Sequence, residues 1–174
     1  MKTIYQLLLL TFATVLPSAS VYGQIQKAEI VATGLTCSMC SNAINKQLKS
    51  IDGVEKVETD LNTNTFTVIL RQDNAITPET LKNSVEKAGF FVGSMVITLS
   101  LDQVVPKDNA AVEAQGAILV FVDSKEKVLN GQTRLKIQDK GYVTQKEYKK
   151  LQKLYSKYPT YSVENEDDFH VKVI

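Results

Sequence analysis

The chain has no tryptophan, one histidine, two cysteines, three methionines and four prolines in 174 residues. Each scarcity closes a route. A lone His170, with no nucleophile placed near it in a motif and no phosphate-cradling glycine loop, leaves no catalytic constellation, so the expectation is a protein that is not an enzyme. Three scattered methionines rule out a methionine-rich metal site; Met95 has the spacing of a core strand residue, and Met39 is expected to point to solvent. The acidic cluster Glu164 to Asp168 lacks the glycine turn and spaced ligands of a calcium loop, and reads as surface. A formal net charge of +1 argues against nucleic acid, which usually demands a basic footprint. No apolar run approaches the roughly 20 residues of a membrane span.

What the N-terminus does contain is an address. Lys2, an apolar stretch from Leu7 to Leu16, and then Pro17, Ser18, Ala19, Ser20, Val21, Tyr22 and Gly23 follow the three-part layout of a secretory signal. Residues 1–23 are therefore expected to be removed before Gln24, and the first cysteine, Cys37, lies too far on to anchor a lipid. The expected location is periplasmic or extracellular, with no stable membrane insertion after cleavage.

The two cysteines stand together in Gly34-Leu35-Thr36-Cys37-Ser38-Met39-Cys40. A C-x-x-C pair brings two thiolates close enough to share one soft metal ion or to close one small disulfide. Thioredoxin-type redox sites carry an aromatic residue, usually tryptophan, before the first cysteine, and often proline between the two. Here Thr36 precedes, and Ser38 and Met39 intervene. A structural bridge over so short a loop restricts little of the unfolded chain. Metal binding leads, and thiol-disulfide exchange stays open as the alternative.

Around that pair, residues 24–103 alternate in a regular order. A strand over Ile25 to Val31 ends at Gly34; a helix capped by Ser38 or Ser41 buries Ala43, Ile44, Leu48 and Ile51 and stops at Asp52-Gly53. Strands Val54 to Asp60 and Phe66 to Leu70 meet at the turn Asn62-Thr63-Asn64. A second helix starts at Thr77-Pro78, presents Leu81, Val85 and Ala88, and ends at Gly89, before a strand from Phe91 to Leu101. The order β-α-β-β-α-β predicts an α+β, ferredoxin-like sandwich.

Order and motif together resemble the heavy-metal-associated domain, the module of copper chaperones, of the N-terminal repeats of metal-transporting ATPases and of the periplasmic mercury-binding protein. Residues 34–40 match the family's G-M-T-C-x-x-C, Gly53-Val54 its G-V after the first helix, and Ala88-Gly89-Phe90 its A-G-Y/F before the last strand. Leu35 replaces the usual methionine at nearly constant volume. The resemblance implies that Cys37 lies on an exposed loop and Cys40 in the first helical turn, where the dipole favours thiolate, and that both are metal ligands. It implies that Leu35 packs in the core and that Phe90 lies beneath the loop. In relatives selective for zinc, cadmium or lead an acidic residue stands where Thr36 stands, so Cu(I) is the expected ion, ahead of Hg(II) and Zn(II). The implied partners are a metal-transporting ATPase, an efflux system or another metal-binding protein. A third reading keeps the fold as an interaction module with a vestigial metal site.

Beyond residue 103 the resemblance stops. Residues 104–115 read as a linker, and 116–174 as a small α+β unit of unassigned role. Its expected elements are a buried strand Ala117 to Val122, a hairpin joining Lys127 to Leu129 with Thr133 to Ile137 around Asn130-Gly131, and a last strand Phe169 to Ile174. Between them a helix follows the capping box Thr144 to Glu147, with Tyr148, Leu151, Leu154, Tyr155 and Tyr158 on one face, lysines over much of the rest, and Pro159 closing it. His170 is expected to be structural.

Overall fold

The computed structural model describes residues 23–36, 38–125, 127–161 and 168–174. Residues 1–22 of the secretory signal expected over residues 1–23, together with Cys37 and most of the acidic cluster, lie outside the described residues.

The expected order is realised as β1 (Ile25–Thr33), α1 (Ser38–Lys49), β2 (Val54–Asp60), β3 (Thr65–Leu70), α2 (Pro78–Lys87) and β4 (Phe91–Val104). β1 runs between β3 and β4, antiparallel to both, with Ala28 opposite Val68 on one side and Ile97 on the other. Period-two alternation puts Ala28, Ile30, Phe66, Val68, Met95 and Ile97 on one face, all fully buried. Ile44 and Leu48 of α1 and Leu81 and Val85 of α2 close over that face, at roughly 1.5–3 kcal/mol for each large side chain withdrawn from water.

Local chemistry explains the helix ends. Thr77 accepts the Thr80 N–H at the start of α2, where Pro78 gives up no hydrogen bond. At its end Gly89 adopts φ +86°, its N–H donates to the Glu86 carbonyl, and the Phe90 N–H donates to the Val85 carbonyl. That double bond pattern reverses the chain and delivers Phe90 to the start of β4. The expected cap at Ser41 does not form, because Ser41 lies inside α1, where it is buried; the Ser38 side chain is outside the described residues.

The second half adds β5 (Ala111–Ala114), β6 (Ala117–Phe121), β7 (Leu129–Ile137), α3 (Gln145–Leu154) and β8 (Asp168–Val173). All eight strands form one sheet in the order β2-β3-β1-β4-β7-β8-β6-β5. β4 makes this possible. It continues three residues past Leu101 and pairs with β7 from Val96↔Lys136 to Val104↔Leu129.

Two expectations are corrected here. The stretch read as a linker holds the end of β4 and all of β5, which turns into β6 through Gln115 at φ +53° and Gly116 at φ +78°, the mirror-image turn that suits the twist of a tight hairpin. Gln115 also ties the hairpin to the first half: it accepts the Ile25 N–H and donates to the Asn74 carbonyl. The hairpin expected at Asn130-Gly131 does not form. Gly131, at φ +81°, lies within β7 opposite Leu101, next to the register shift that precedes Val104, so the glycine serves an irregular strand and the edge of β4 is paired.

On β7, Leu135 and Ile137 enter the main core, so Lys136 projects from the opposite face, where it meets Glu147 of α3 at 2.8 Å. α3 therefore covers the face that α1 and α2 leave open. Thr144 caps it as expected, but Glu147 pairs with Lys136 instead of closing a capping box. Leu151, Tyr155, Tyr158 and Tyr161 pack with Val122 and Val143 beneath it, whereas Leu154, expected on that face, is 61% exposed.

Candidate metal centre

β1 ends at Thr33, whose hydroxyl donates to the Phe91 carbonyl at 3.3 Å, pinning the end of β1 to the start of the neighbouring β4. The chain then turns at Gly34 with φ +88°, a conformation that a side chain disfavours. A side chain there would reach 3.9 Å from the Phe90 ring, so Phe90 lies under this turn as the resemblance implied. Leu35 packs half-buried on the main core, and Thr36 is exposed.

α1 begins immediately after Cys37. Cys40 falls in its first turn, half-buried, while Met39 beside it is 81% exposed. The first turn carries no acidic residue, and the last carries Lys46 and Lys49, which complements the dipole at the far end. A thiolate at Cys40 thus meets the positive end of the helix without a competing carboxylate in that turn. The donor chemistry fits a soft metal ion, and of the two predicted ligands the described residues contain Cys40 alone; Cys37 lies outside them.

The remaining candidates are engaged elsewhere. Met95 is fully buried in the core. His170, 2% exposed on β8, has both ring nitrogens engaged: Nδ1 lies 2.7 Å from Asp139 Oδ1 and Nε2 2.9 Å from Thr160 Oγ1. Since a carboxylate can only accept, Nδ1–H donates, and in the neutral ring Nε2 accepts from the threonine hydroxyl. Asp139 also accepts the His170 backbone N–H at 2.6 Å, and the Tyr161 ring stands edge-on to the imidazole with centroids 4.9 Å apart. No sequence motif announced these partners, because the fold brings them to His170 from 31 and 10 positions away.

Burial acts strongly on the aromatic cluster under α3. It pushes the Tyr155 phenol up to about 12, and raises Tyr161 further. Tyr142, edge-on to Phe169 with Lys82 over its ring, is raised by the same cause.

Residues 30–91 match the heavy-metal-associated domain. A copper-transporting ATPase of Saccharomyces cerevisiae is 42% identical over 57 residues, which is 33% of this chain and 6% of the ATPase. Copper-transporting ATPase RAN1 of Arabidopsis thaliana is 33% identical over 66 residues, 38% of this chain and 6% of that protein. The solution structure of the yeast copper transporter domain Ccc2a, in apo and Cu(I)-loaded states, aligns at 37% identity with a TM-score of 0.34, covering 37% of this chain and 88% of that one. The chain thus spans about 6% of the length of the curated relatives it matches. Residues 30–91 of this protein thus match the heavy-metal-associated domain and are similar in sequence to a short stretch of copper-transporting ATPases.

Proposed function

We propose that this protein is an extracytoplasmic carrier that takes one soft metal ion as cargo, Cu(I) above all, between the thiolates of Cys37 and Cys40, and passes it to another metal-binding protein such as a metal-transporting ATPase or an efflux system. The observation that carries the reading is the position of Cys40: half-buried in an acid-free first helical turn, next to an exposed Thr36, inside the matched residues 30–91. Two sulfur donors satisfy Cu(I), whereas Zn(II) ordinarily takes four ligands. Transfer needs no change of oxidation state. A thiolate of the partner joins the bound ion and one of the carrier's thiolates leaves; a second partner thiolate then displaces the other, and each freed carrier sulfur takes up a proton from water as the partner's thiols give theirs to it. The leader supports delivery outside the inner membrane, where oxidation of the pair competes with loading and a reductant is needed before metal can bind.

Competition against a chromophoric Cu(I) chelator tests this. The reduced protein is expected to take one Cu(I) per chain, and Cys40→Ser to abolish tight binding. An affinity no better than that of the Cys37→Ser/Cys40→Ser double variant would refute it.

A further inference from the structure

We propose that the groove between the start of β4 and α3 is a docking surface for an acidic protein whose contact face presents an apolar side chain among carboxylates, and that this protein is the one exchanging metal with the cysteine loop. The identity of the exchange partner rests on the function proposed above; the docking chemistry does not.

The groove measures about 690 Å³ and is lined by residues of both halves, Thr33, Glu86 and Phe91 from the first and Lys140, Tyr148 and Lys149 from the second. Its location ties it to the metal loop. Thr33 and Phe91 are register partners at the end of the sheet, and from Thr33 the chain passes directly into Gly34 and onward to Cys40. A molecule seated in the groove therefore lies next to Gly34, where the loop begins.

Its lining points to what it would take. Phe91 is 68% exposed at one wall, and the half-buried Tyr148 forms the other. Along α3 stand Lys146, Lys149, Lys150 and Lys153, and the helix's one acid, Glu147, is held by Lys136 at 2.8 Å. Among the described residues no carboxylate pairs with those four lysines, and Glu86 is the sole acid lining the groove. The resulting field draws a negatively charged surface and selects against a basic one. A flat anionic bilayer would satisfy the lysines but would not reach the recessed apolar floor; a protruding side chain reaches both. On this reading the second half enlarges the recognition surface of the metal-binding half.

The test titrates the isotope-labelled full chain with an acetylated peptide of sequence Glu-Asp-Phe-Glu-Leu-Asp-Glu, with the same peptide carrying lysine at every acidic position, and with phosphatidylglycerol vesicles. The acidic peptide is expected to shift the amide signals of Phe91, Tyr148 and Lys149, and the basic peptide to leave them in place. Lys149→Glu/Gln152→Glu is expected to weaken the acidic peptide about tenfold, as is Phe91→Ser, with Cu(I) affinity unchanged in both and unaltered circular dichroism confirming the fold. No binding, shifts confined to other surfaces, or vesicles binding in preference to the peptide would overturn the proposal. Failure of the chelator titration in the wild-type chain, with peptide binding intact, would instead remove the metal-carrier reading alone.

Discussion

Replacing His170 with alanine tests its structural role against a role as metal ligand in one experiment. The imidazole is 2% exposed and holds Asp139 at 2.7 Å and Thr160 at 2.9 Å while packing edge-on against Tyr161. Two side-chain hydrogen bonds vanish, at about 1 kcal/mol each, and more where a partner stays buried without a substitute. Thr160 is half-buried and can turn to water, and Asp139 keeps the backbone N–H of residue 170, so neither is wholly stranded. The lost ring contact adds about 0.5–1.5 kcal/mol, and the cavity left in a sealed site a further contribution of similar size. The sum is about 3–5 kcal/mol, a large share of the 5–15 kcal/mol typical of a domain. Urea unfolding followed by circular dichroism reads it as a lower midpoint at unchanged slope. Cu(I) affinity of the folded fraction should not move. A loss under about 1 kcal/mol, or a fall in Cu(I) affinity without loss of stability, would refute the structural assignment.

The buried phenols predict an alkaline limit. Tyr142, Tyr155 and Tyr161 all titrate higher in the folded chain than the ordinary value of 10.0, so above that pH the unfolded chain loses protons that the folded one retains. Stability should be full below pH 10 and fall as pH rises from there through about 12, by up to about 1.4 kcal/mol per pH unit for each phenol, and phenolate absorbance should appear in step with unfolding. Independent, early ionisation of all the tyrosines would contradict the burial. At Gly93 a Cβ would lie 2.5 Å from Thr33 Cγ2, so Gly93→Ala should cost about 1–3 kcal/mol in thermal or urea unfolding. Adding Thr33→Ser removes that methyl while keeping the hydroxyl bonded to Phe91, and should restore most of the loss; no restoration would mean that the strain lies elsewhere.

The first half was legible because its signals are local. Thr77-Pro78 caps α2, Gly89 ends it through two backbone bonds, and Asp60 accepts from Asn62 and Thr63 in the turn between β2 and β3. Each is complete within a few residues, and alternation supplies the faces between them. The second half withheld its pairing because the deciding partner is distant. Asn130-Gly131 has the composition of a hairpin turn, yet it is absorbed into β7 by the unpaired edge of β4. The true hairpin turns at Gln115-Gly116, where glutamine at positive φ gives no compositional warning and the holding contacts come from Ile25 and Asn74. The same division runs through the site. Thr36, Met39 and Cys40 have their character fixed within one loop and one helical turn, whereas the groove beside them exists because β4 recruits β7 and thereby brings α3 to the end of the sheet. A cargo ion of the proposed kind would be recognised by two sulfur atoms close together in the sequence, and so can be inferred from a motif. The surface that would recognise a partner is assembled by strands far apart in the chain, and so becomes readable only once they have paired.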